Sequence, residues 1–71
     1  MDMVKIGYAI SVGGEWVVVR IVRKFFRRYT RTRSKFSATF YEQMEDAVRD
    51  MRCIQRVHPE WKNMWVQRIV A

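Results

Sequence analysis

The sequence predicts a small α+β domain: an antiparallel sheet of three to four strands with one amphipathic helix packed on one face, in the order β-β-(β)-α-β. Three observations carry this. Val4 to Val12 alternates apolar residues with small or polar ones and runs into Gly13-Gly14. Phe40 to Gln55 repeats apolar residues at helical spacing before Pro59, and a last strand-like run spans Trp65 to Val70.

In the first run Val4, Ile6, Tyr8, Ile10 and Val12 fall on one side of a period-two pattern, the mark of a strand with one buried face. Gly13-Gly14 supplies the positive φ of a tight hairpin turn, so the second run, Glu15 to about Phe26, returns antiparallel beside the first. Beyond Val22 no Gly or Pro marks a turn in RKFFRRYTRTRSKF. The simplest expectation is a long basic arm that reverses within Tyr29 to Ser34 and returns as a third strand through Lys35 to Ala38. Thr39-Phe40-Tyr41-Glu42 matches a capping box and predicts that the helix starts there. Phe40, Met44, Ala47, Val48, Met51, Ile54 and Gln55 then form one stripe, with Glu42, Glu45, Asp46, Arg49, Arg52, Cys53 and Arg56 opposite. Acids early and bases late suit the helix dipole, Glu45 and Arg49 are spaced to pair, and Pro59 ends the helix.

With 71 residues the chain has room for one core, spanning positions 1–71 as a single basic domain. An apolar fraction of 49% argues for a folded protein despite a net charge of +7. Cys53 is the only cysteine, which excludes an internal disulfide and fits a reducing compartment. The longest apolar stretch, Trp16 to Val19, is far short of the roughly 20 residues that span a bilayer. A cytoplasmic protein is therefore expected.

The charge is concentrated rather than spread. Arg20, Arg23, Lys24, Arg27, Arg28, Arg31, Arg33 and Lys35 lie between Trp16 and Tyr41 with no Asp or Glu among them, and the rest of the chain sums to −1. Six of the eight are arginines, whose planar fork matches phosphate oxygens and stacks on bases. Phe25, Phe26 and Tyr29 interleave with them and either stack on bases or close the core. The candidate nucleic-acid site is accordingly Arg20, Arg23, Lys24, Arg27, Arg28, Tyr29, Arg31, Arg33 and Lys35. If the segment is a hairpin, alternate residues point to the same side, so Arg20, Lys24 and Arg28 share one face and Arg23, Arg27 and Arg31 the other. Trp16 and Trp65 read as core or edge packing, and Trp61 as part of a polar loop.

Catalytic apparatus is not visible. His58 before Pro59 reads as a helix cap, Cys53 as a surface thiol, and Glu42, Glu45, Asp46 and Asp50 as cap and dipole partners. The two glycines of the hairpin are no phosphate loop. No enzyme, cofactor or metal is expected.

A sheet followed by one helix, with FSATFYEQMEDA at the junction, resembles AP2-like and integrase-arm DNA-binding domains. The likeness covers Trp16 and Phe36 to Ala47, and the chain departs from it in the Arg-rich segment and the C-terminal strand. By size and charge it is also similar to small phage and mobile-element proteins that bind nucleic acid or block host machinery. The first expectation is a non-enzymatic nucleic-acid-binding protein. The second is an inhibitor or adaptor that docks its basic surface on an acidic patch of a nucleic-acid-handling complex, as anti-defence proteins of phages do. Attachment to a membrane is disfavoured because the basic segment reads as strand. A homodimer through an open sheet edge is a further possibility of this design.

Overall fold

Gly13 and Gly14 take φ of 54° and 83°, the positive pair of a two-residue turn whose twist suits a hairpin. In the computed structural model, which describes residues 5–24 and 26–70, this turn joins β1 (Ile6–Val12) to β2 (Glu15–Arg23). Then follow β3 (Phe26–Thr32), a 3₁₀ turn at Lys35–Ser37, helix α1 (Met44–Val57) and β4 (Met64–Val70). The sheet is antiparallel throughout, in the order β3-β2-β1-β4. The expected α+β architecture is thus present, with four strands.

The sheet's alternation sets the core. Ile10, Val12 and Val17 point to one face and are buried against Ile54 of α1. Val19, Tyr29, Met51, Trp61 and Val66 close around them. Each fully buried Ile or Val contributes on the order of 1.5–3 kcal/mol, the main force holding so small a domain together.

β1 and β2 pair directly only beside their turn, at Ser11↔Trp16 and Val12↔Glu15. Below it the strands splay, and the segment leading into α1 fills the gap. Thr39 donates its N–H to the Val17 carbonyl (3.2 Å) and its hydroxyl accepts from the Val19 N–H (2.7 Å). Tyr41 exchanges two backbone hydrogen bonds with Tyr8, each 2.8 Å. Backbone groups that the splay would leave unpaired are satisfied in this way. Phe40, between them, lies over Gly7, where even a methyl group would collide with its ring.

Several sequence expectations are corrected. The arm reverses between Arg23 and Phe26, not within Tyr29 to Ser34, and the third strand is Phe26–Thr32. Lys35 to Ala38 is no strand, since Lys35–Ser37 forms the 3₁₀ turn. The helix starts at Met44 after Gln43, with no side-chain cap. Thr39 cannot cap it because its hydroxyl serves β2, and Glu42 pairs with Lys5 at 3.6 Å. Arg49 pairs with Asp46 rather than Glu45. The buried helix stripe is Ala47 and Ile54 with Met51 beside them, whereas Met44 is 51% exposed and Gln55 is exposed. His58 does close the helix, its N–H donating to the Ile54 carbonyl at 2.7 Å. Val4, where the first alternation begins, and Phe25 lie outside the described residues.

Candidate nucleic-acid interface

Residues directly opposite in a ladder share a face, so the pairing sorts the arginines. Val17↔Arg31, Val19↔Tyr29 and Ile21↔Arg27 lie on the helix side, while Trp16↔Thr32, Val18↔Thr30 and Arg20↔Arg28 lie on the other. Between Ile21 and Arg23 the register shifts, which leaves Val22 as an extra residue before Arg23 meets Phe26. Such a bulge turns the strand and re-aims the side chains beyond it. The expected sharing of faces therefore fails for part of the set: Lys24 falls in the reversal, and Arg23 and Arg27 are separated by it.

The two helix-side arginines are tied to carboxylates. Arg27 donates to Asp50 at 3.1 Å, and Asp50 also accepts the Tyr41 hydroxyl at 2.8 Å. Burial first, then the hydrogen bond to Asp50 and its charge, holds the Tyr41 phenol well above its ordinary pKa of 10.0. Arg31 meets Glu15 at 2.8 Å, donates to the Val12 carbonyl at 3.3 Å, and lies 5.6 Å from the centre of the Trp61 ring. Trp61 stacks in turn on His58 at 4.0 Å. Tyr29 is packed on the core with its ring edge-on to His58, so it has a structural role there.

The remaining cations are differently placed. Arg20, Arg23, Lys24, Arg28, Arg33 and Lys35 are exposed and form no ion pair among the described residues. Arg20 and Arg28 stand directly across from each other, an arrangement of like charges that costs folding energy in the absence of an anion. The distal ribbon also carries exposed apolar groups: Ile21 is 76% and Phe26 67% exposed. These cations share one segment of the chain, and the sequence alone does not separate the paired from the unpaired ones.

Two further residues belong to the same face. Trp16 pairs with Ser11 on one side and Thr32 on the other, and Ser11 pairs with Trp65. One row, Thr32, Trp16, Ser11, Trp65, thus crosses the whole sheet opposite the helix. Ser11 is only 4% exposed between the two large side chains, while Trp65 is 47% exposed. Trp16 shares parity with Arg20 along β2, which was the available signal. For Trp65 only the β1–β4 register gives the position.

A groove on the exposed flank of α1 is lined by Met44, Glu45, Val48, Arg49, Arg52, Cys53 and Arg56. Among the described residues no three His, Cys, Asp or Glu side chains are grouped to hold a metal ion. Among the described residues no helix is long and apolar enough to cross a membrane. No family model matches the chain, and the curated proteins and solved structures compared with it contain no significant match.

Proposed function

We propose that this is a non-enzymatic nucleic-acid-binding protein that holds backbone phosphates with the exposed arginines of its β2–β3 ribbon. The observation that carries the reading is the cross-strand pair Arg20 and Arg28, unneutralised on the open face while Arg27 and Arg31 are matched to Asp50 and Glu15 on the other. Phosphates supply the missing counter-charge, and a guanidinium binds them with two parallel hydrogen bonds. Arg23 and Lys24 extend the cationic surface to the end of the ribbon, and Arg33 and Lys35 extend it beyond β3.

The test is a fluorescence-anisotropy titration of labelled DNA and RNA at low and physiological salt, with the Arg20→Ala/Arg28→Ala double variant alongside. Binding by the wild type should weaken linearly in log salt, and the double variant should lose about 0.7–0.9 of slope per phosphate contact removed. Absence of binding at physiological salt would sink the reading. A second reading, an inhibitor or adaptor that docks on a protein, draws on the α1 groove, where Arg52 and Arg56 border Met44 and Val48. It gains ground if free DNA and RNA do not bind and an acidic protein partner does.

A further inference from the structure

We propose that the open face of the sheet is a platform for an unpaired nucleic-acid strand, with bases stacked on Trp65 and Trp16 and the backbone held by Arg20 and Arg28. The inference rests on the phosphate-binding reading above and adds the state of the strand that is bound.

The argument begins with where the tryptophans are. Two of the three stand on the face that the helix does not cover, in one row across the sheet. The third, Trp61, is on the core. Trp65 leaves nearly half of its surface in water, at 47%, although covering a large aromatic group is among the strongest gains folding offers. The residue between the two tryptophans is a serine, whose short side chain is turned to the Glu15 carbonyl at 3.3 Å. No bulky group separates the rings. At about 4.8 Å per strand the backbones that carry them are about 10 Å apart.

The unpaired cations share that face. Arg20 follows Trp16 by four residues on β2, about 13 Å along the strand, and Arg28 is directly opposite Arg20. Toward the arginine end the β1 and β4 part of this face is covered: Phe40 lies over Gly7, and Ala9 and Ile69 are buried. What stays exposed on this face is Trp65, with part of Trp16, toward the glycine turn, and Arg20 with Arg28 toward the far end of the ribbon. Cations for phosphates with flat rings for bases is the combination that holds single strands, since stacking needs a base whose face is free. In a duplex those faces are buried in the stack, and the tryptophans would have nothing to bind.

Anisotropy titrations with an oligothymidine strand, an oligouridine strand and a duplex of the same length test this, with tryptophan fluorescence read in parallel. The wild type should prefer the single strands, with quenching that Trp65→Phe reduces. Trp65→Ala should weaken single-strand binding by about five- to a hundredfold, the worth of one stacked base, and leave duplex binding unchanged. Circular dichroism and thermal melting establish that each variant is folded; if Trp65→Ala is not, the quenching and Trp65→Phe decide. Equal affinity for strand and duplex, with no quenching and no effect of Trp65, overturns the platform and leaves phosphate binding standing. Failure of every oligonucleotide to bind overturns both.

Discussion

A Cβ built on Gly7 would stand 2.6 Å from the backbone carbonyl oxygen of Tyr41 and closer still to the Phe40 ring. The ring can swing away but the carbonyl is fixed, because Tyr41 is bonded to Tyr8 through both its N–H and its C=O. Gly7→Ala should therefore cost about 1–3 kcal/mol as an overpacked contact, read as a lower urea midpoint; an unchanged midpoint would mean that β1 and the 39–41 segment yield freely. Thr39→Val tests the other side of the wedge. Removing the hydroxyl that accepts from the Val19 N–H leaves a part-buried donor without a partner, at about 1–3 kcal/mol. Tyr41 adds a pH dependence. Its folded phenol holds a proton more tightly than the unfolded one, so its contribution is fully present below the ordinary value of 10.0 and is lost as pH rises past it. The urea midpoint of the wild type should fall over that alkaline range, and that of Tyr41→Phe should fall less.

At the scale of elements, the Arg27–Asp50 pair ties the ribbon to the helix. Asp50→Asn keeps an acceptor for the Tyr41 hydroxyl but removes the charge that neutralises Arg27. Because Arg27 lies on the helix side, away from Arg20 and Arg28, the salt slope for a single strand should stay unchanged, and a slope steeper by about 0.7 would mean that the strand also reaches Arg27. The same elements show what the sequence makes legible. β1, its glycine turn and the amphipathic helix are governed by local rules, strict alternation, positive φ and helical spacing, and these appear in the residues themselves. The second reversal uses no Gly or Pro, so the chain around Lys24 offers no local mark of a turn. The TFYE capping pattern is real as wording, but Thr39 finds a tertiary partner in Val19, and a long-range hydrogen bond of this kind has no sequence signal. The basic segment was legible as a concentration of charge because charge survives any error of topology. Which arginines are neutralised, and that Trp16 and Trp65 lie with the free ones, depends on the bulge and on strand register.

For the whole molecule the question is whether binding follows a net charge of +7 or a surface. A uniformly cationic protein attracts any polyanion, with affinity set by total charge and ionic strength. Two variants with the same change in charge separate the cases. Arg20→Glu/Arg28→Glu reverses the pair on the open face, whereas Arg52→Glu/Arg56→Glu reverses two arginines on the flank of α1. The helix packs on the opposite side of the sheet from the first pair, so a strand lying across Trp16 and Arg20 does not reach the second. Long-range attraction between exposed charges is screened over about 8 Å at physiological salt. Under that condition the first variant should abolish measurable binding and the second should weaken it only severalfold. At low salt, where screening is weaker and the attraction reaches farther, the two should converge. Equal losses at physiological salt would mean that the ribbon holds no privileged site and that its arginines act only through their sum.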